Sequence, residues 1–148
     1  MRLNRYKPKM LDYSSLRSAV SALERALRVT SQNDRWATFD AVTQETLKAG
    51  VIQTFGVAYE QSWKMIKRWL GANPTSGEVE GVPMRQLYRV AAKAGLIDDI
   101  DVWMAFHKAR NETSHTYNYL TAQAVFEMAP LCLAQAKQLL LTLEQRDD

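Results

Sequence analysis

The sequence predicts an all-α protein, an antiparallel up-and-down helical bundle of four main helices plus a shorter helix. Three observations predict it. Apolar residues recur at three- and four-residue spacings through most of the 148-residue chain. The alternating pattern of strands is scarce. Breakers cut the periodic stretches into five segments joined by short connections.

The first helix follows Ser14-Ser15 and carries Leu16, Ala19, Val20, Leu23, Ala26 and Leu27 on one stripe. The second spans about 41–70, with Leu47, Val51, Ile52, Phe55, Tyr59, Ile66 and Leu70 at helical spacing. Gly50 and Gly56 fall inside it, each costing about 1 kcal/mol against Ala, so they mark close helix packing or a bend. Gly71 stops that helix, and residues 73–83 form a loop rich in Pro and Gly. The shorter third helix starts at Pro83 or Met84 and ends near Ala94, before Gly95. Asp98 and Asp99 are placed to cap a fourth helix bearing Trp103, Phe106, His107 and Arg110. The last helix covers about 121–143, and Pro130 within it should bend it. With no repeat and no linker, residues 1–148 form one domain, the first twelve being a flexible basic arm.

Composition narrows the function classes. The net charge of +3 is compatible with nucleic acid without pointing to it. Cys132 is the single cysteine and lies in an apolar run, where it reads as a buried small hydrophobe. Without a disulfide partner it suits a reducing compartment, so a cytoplasmic location is expected. The basic N-terminus has no apolar h-region, and no segment approaches about 18 uninterrupted apolar residues, so no membrane association is expected. Two histidines and one cysteine offer no ligand spacing, so neither a metal site nor a cofactor is expected.

The densest reactive chemistry is at residues 110–117, Arg-Asn-Glu-Thr-Ser-His-Thr-Tyr. Arg110 can grip a phosphate in a planar fork, His115 can trade protons near neutral pH, and Asn111 can orient either. Positions five apart on an unbroken helix point about 140° away from each other. Arg110 and His115 therefore converge only if the helix ends between them, where Asn111, Thr113 and Ser114 are plausible turn residues, or if two copies of the segment meet across a dimer. Either arrangement puts the segment at a surface cleft. Arg110 is also placed to offset a helix C-terminal dipole, and Tyr117 to pack with a polar tip.

Arg110 and His115 match the Arg-x4-His pattern of HEPN domains, and Tyr117 extends it to Arg-x4-His-x-Tyr. In this longer form the chain resembles HEPN toxins encoded beside a minimal nucleotidyltransferase, also called nucleotidyltransferase substrate-binding proteins. Residues 50–64, with Ile52-Gln53, Phe55, Glu60 and Trp63-Lys64, resemble the aromatic-rich helix of that subfamily, and the resemblance covers residues 16–143. It implies a homodimeric, metal-independent endoribonuclease acting on RNA, with Arg110, Asn111 and His115 at the catalytic site. It further implies a cognate minimal nucleotidyltransferase that acts as antitoxin, by binding or by adenylylating Tyr117; Tyr119 is a neighbour the motif does not select. The alternative is a non-catalytic substrate-binding subunit of a two-component nucleotidyltransferase. The chain has no Gly-Ser with paired Asp residues of its own, so it is the partner of such an enzyme.

Outside the motif, Arg85, Arg89 and Lys93 form a basic stripe at four-residue spacing, and Lys64, Lys67 and Arg68 form another. Both read as solvated faces open to RNA or partner contact. His107, beside Trp103, reads as structural, and Phe55, Tyr59, Trp63 and Trp69 as core or dimer contacts.

Overall fold

The computed structural model describes residues 11–115 and 118–147, and among these there is no strand. Six α-helices follow in order: α1 (Ser14–Ser31), α2 (Asn33–Trp36), α3 (Ala41–Ala72), α4 (Met84–Lys93), α5 (Ile100–His115) and α6 (Tyr119–Arg146), with a 3-10 turn at Pro74–Ser76. The four main helices and the shorter one are thus present. The single-turn α2 is an addition that the periodicity does not announce.

Local chemistry sets the boundaries. Asp12 accepts a hydrogen bond from Ser14 N at 2.9 Å at the start of α1, and Asp40 caps α3 by accepting from Thr43 N at 2.7 Å. Asp99 does the same for α5 through Val102 N at 3.1 Å, and Asn118 for α6 through Thr121 N at 2.9 Å. Of the expected arm over 1–12, residues 1–10 lie outside the described residues, while Leu11 packs against the core. Gly95 ends α4 with φ +79°, the left-handed conformation that favours glycine. A Cβ there would meet Arg146, whose guanidinium donates to Ala94 O and lies 5.4 Å from the Trp69 ring.

Packing follows the stripes. The α1 and α6 helices run antiparallel, with Arg17 2.8 Å from Glu144 and Lys137 2.6 Å from Glu24. The long α3 lies against α1, α5 and α6 and buries Val51, Ile52, Phe55, Tyr59, Ile66 and Leu70. Trp103, Tyr59, Tyr88, Phe55 and Phe106 are the largest fully buried side chains. Phe106 meets Phe55 edge-on at 6.3 Å and Trp103 at 5.4 Å. Cys132 is fully buried, and that burial pushes its thiol up to about 12.

The α6 helix continues through Pro130, which forgoes one backbone hydrogen bond at an exposed position. By length and mean hydropathy α6 could cross a membrane. Its Val125, Ala129, Cys132, Ala136, Leu139 and Leu143 are instead buried in the bundle.

Candidate functional site

At the reactive segment one of the two alternatives is removed. The helix carrying Arg110 does not end between Arg110 and His115; α5 runs on through His115. The residues read as turn formers satisfy themselves inside the helix. Thr113 Oγ1 donates to Ala109 O at 3.1 Å and Arg110 O at 3.0 Å, and Ser114 Oγ donates to Arg110 O at 3.0 Å. Hydroxyls bonded back to the preceding turn let Ser and Thr stay helical rather than terminate. The five-residue offset therefore keeps its divergence of about 140°. His115 is the last residue of α5, and its side chain, Thr116 and Tyr117 lie outside the described residues. Tyr119 opens α6 and is 73% exposed.

Arg110 is not in the last turn of its helix, so it is no C-terminal cap. Its side chain, only 25% exposed, crosses onto α3 and lies over Gly56. A Cβ on Gly56 would stand 2.7 Å from Arg110 Cζ, closer than atoms can pack. Of the two readings of Gly56, close packing holds. One turn further along α3, Glu60 Oε1 lies 3.8 Å from Arg110 Nε, and Glu60 Oε2 lies 3.8 Å from Lys64 Nζ. Arg110, Glu60 and Lys64 thus form a charged row across α5 and α3. Lys64 was expected as a contact residue, whereas Glu60 stood in the sequence only as part of the aromatic-rich helix pattern, with no role at the site. The available signal was the four-residue spacing of Gly56 and Glu60, which puts a gap and a counter-charge on one face.

The other basic candidates are elsewhere. Arg85 Nη1 lies 3.1 Å from Asp101 Oδ1, at the first turn of α5. Asp101 is nine residues before Arg110, about 14 Å along the helix axis. Arg89 Nη1 donates weakly to Gln86 Oε1 at 3.5 Å, and Lys93 is exposed in the last turn of α4. The stripe of Arg85, Arg89 and Lys93 is a solvated face at the opposite end of α5 from the reactive segment.

Asn111 is exposed on α5, with its Nδ2 3.2 Å from His107 Nε2. The other ring nitrogen, His107 Nδ1, lies 2.8 Å from the Tyr59 hydroxyl, and Tyr59 in turn lies 2.6 Å from the Tyr88 hydroxyl. Burial drives the Tyr59 and Tyr88 phenols well above the ordinary range. For Tyr88 the adjoining Tyr59 adds to the rise, whereas for Tyr59 the hydrogen bond from Tyr88 offsets part of it. Both hydroxyls are therefore protonated donors at neutral pH. His107 does have a structural place, as expected, but it is a polar one.

A groove of about 490 Å³ lies between α1 and α6, lined by Glu24, Leu27, Arg28, Phe126 and Leu133 among others, and excludes the segment. What the geometry offers is an exposed helix end with a half-buried guanidinium, an anchored carboxamide and a terminal histidine. Such a surface could bind a phosphodiester from one side.

Comparison with known proteins shows the family. Residues 11–145 match the family model described as nucleotidyltransferase substrate binding protein like. The chain is 33% identical over 138 residues to a protein of Haemophilus influenzae named probable ribonuclease HepT, covering 93% of this chain and 94% of the relative. A solved Haemophilus influenzae structure, described as the fold of a substrate binding domain of a nucleotidyltransferase, superposes with a TM-score of 0.83 at 32% identity. That match covers 90% of this chain and 99% of the other. The chain therefore belongs to the nucleotidyltransferase substrate binding protein like family, the one its Arg-x4-His-x-Tyr segment resembles.

Proposed function

We propose that this protein is a HEPN-type, metal-independent endoribonuclease toxin of the cytoplasm. Its active site is completed by a second copy of the chain, and a cognate minimal nucleotidyltransferase neutralises it by binding or by adenylylating Tyr117. The observation that carries the reading is the unbroken α5. Positions 110 and 115 of an unbroken helix lie about 140° apart around its axis, and a second copy related by a twofold axis offers a way to bring both residue types to one phosphate.

The reaction needs no group beyond those residues and the RNA. The ribose 2′-oxygen attacks the adjacent phosphorus as its proton passes to His115 of one copy. The bond from phosphorus to the 5′-oxygen breaks as His115 of the partner protonates the leaving oxygen. The products are a 2′,3′-cyclic phosphate and a 5′-hydroxyl. The two Arg110 guanidiniums offset the charge that builds on the phosphorane. An AMP group on Tyr117 would bring bulk and negative charge to the same segment and exclude the RNA phosphate.

The name of the ribonuclease relative supports this reading, while the description of the solved relative supports a second one. In the second, the chain is a non-catalytic subunit that presents substrate to the transferase. Incubation of the purified protein with mixed RNAs, tRNA included, without divalent metal decides between them. Cleavage lost in Arg110→Ala and His115→Ala supports the ribonuclease; intact RNA throughout leaves the subunit reading. Adding the transferase with ATP and mapping the label by mass spectrometry tests the acceptor, and label at Tyr119 alone would displace Tyr117.

A further inference from the structure

His107 lies three residues before Arg110 and four before Asn111. Around the α5 axis it therefore lies between Arg110 and Asn111. What sets His107 apart is that both ring nitrogens are engaged, Nδ1 by Tyr59 at 2.8 Å and Nε2 by Asn111 at 3.2 Å.

Proton accounting fixes the direction of this chain of bonds. If Asn111 donated to Nε2, the ring proton would sit on Nδ1 and point at Tyr59. Tyr59 would then donate to Tyr88, whose own hydroxyl proton would need another acceptor. Tyr88 is fully buried, and Tyr59 is the partner of its hydroxyl among the described residues. A buried hydroxyl proton with no acceptor is costly. The opposite direction uses every proton: Tyr88 donates to Tyr59, Tyr59 to His107 Nδ1, and His107 Nε2–H to the Asn111 carboxamide oxygen. It asks only that the carboxamide present Oδ1 to the ring, which its neighbours decide.

We propose that His107 is a positioning residue of the candidate site, held as the Nε2–H tautomer by the buried Tyr88–Tyr59 pair. In this state it fixes the oxygen of Asn111 inward and leaves the Asn111 amino group facing outward as a phosphate donor beside Arg110. The phosphate in this statement rests on the ribonuclease reading; the tautomer and the carboxamide direction do not. With the chain reversed, the Asn111 oxygen would face outward and repel a phosphate.

Two-bond proton–nitrogen NMR of the ¹⁵N-labelled protein reads the tautomer directly. With only two histidines, His115→Ala assigns the His107 ring. The expected pattern has the proton on Nε2 and an acceptor Nδ1, and it should lose that preference in Tyr59→Phe. In RNA cleavage, His107→Phe keeps the ring volume but neither bond, and should lower kcat/KM roughly tenfold, about one hydrogen bond's worth. His107→Gln can still accept from Tyr59 and donate to Asn111, so it should recover part of the loss, with both variants folded by circular dichroism. A proton on Nδ1 in the unaltered protein, or cleavage by His107→Phe equal to the unaltered rate, overturns the proposal. If the unaltered protein cleaves no RNA, the ribonuclease reading falls by itself, and the ring pattern still decides the direction of the relay.

Discussion

The guanidinium of Arg110 rests directly over Gly56, where any larger residue would place an atom 2.7 Å from Arg110 Cζ. The side chain lies flat across α3 because that helix has a gap in its surface at this position, and Glu60 one turn on holds the charge in register at 3.8 Å.

Gly56→Ala should therefore separate stability from activity. Replacing a mid-helix glycine with alanine gains about 1 kcal/mol of helix propensity, and the displaced, partly exposed guanidinium offsets a similar amount. The melting temperature should shift by only a few degrees while RNA cleavage falls at least roughly tenfold, as for loss of one charge-assisted hydrogen bond. Unchanged cleavage at an unchanged melting temperature would show that the seat of Arg110 does not matter.

Glu60→Gln should act in the other direction on binding. The side chains of Glu60 and Arg110 are partly solvated, so the pair contributes at most about 1 kcal/mol to folding. Removing the carboxylate frees Arg110 and Lys64 for phosphate. RNA affinity should rise, and the slope of log K against log salt should steepen by about one ion, measured by titration at several salt concentrations. A flat response would mean that neither cation meets the RNA.

Phe106→Ala should remove about 3–5 kcal/mol, since it empties a fully buried site between Phe55 and Trp103. Against a typical stability of about 5–15 kcal/mol, that is enough to lower the urea midpoint severely. A loss below about 1 kcal/mol would mean that the neighbouring rings collapse into the space.

Alkaline solution should unfold the protein through its buried acids. The folded-state pKa values of Cys132, Tyr59 and Tyr88 all lie above their ordinary values of 9.0, 10.0 and 10.0. The folded state thus holds protons that the unfolded chain gives up. Stability from these groups is complete below about pH 9 and declines as pH rises, with Cys132 contributing to the loss up to about 12. Melting temperature against pH should fall from about pH 9, and Cys132→Ala should delay the onset. Thiol reagents should reach Cys132 only at the rate of global opening; fast labelling in the native protein would contradict its burial.

The bundle was readable because its long helices bury stripes at 3.6-residue spacing, and the caps of α3, α5 and α6 use side chains adjacent in sequence, as Asp99 does for Val102. The elements that escaped depend on partners distant in sequence. The α2 turn is held by Trp36 stacked on Phe126 at 6.3 Å and by Gln44 Nε2 donating to Trp36 O at 3.0 Å. The end of α5 stood open between two alternatives because Thr113 and Ser114 favour turns by propensity, yet they bond back to their own helix here. At the site, residue types proposed Arg110 and Asn111, but Gly56 and Glu60, which hold Arg110, belong to another helix, as does Tyr59, which holds the His107 that meets Asn111. No spacing within 110–117 encodes that crossing.

The pairing of α1 with α6 has a consequence for the order of synthesis. Arg17 and Glu144, 127 positions apart, are 2.8 Å from each other. A ribosome delivers α1, α3 and α5 before α6, so those parts of α1 and α3 that α6 covers stay wet until it emerges. Arg110 is translated before α6, but the platform that holds it becomes rigid only with the last turns of the domain. A nascent chain therefore carries the reactive segment on an open scaffold, and the assembled surface arrives with the finished bundle.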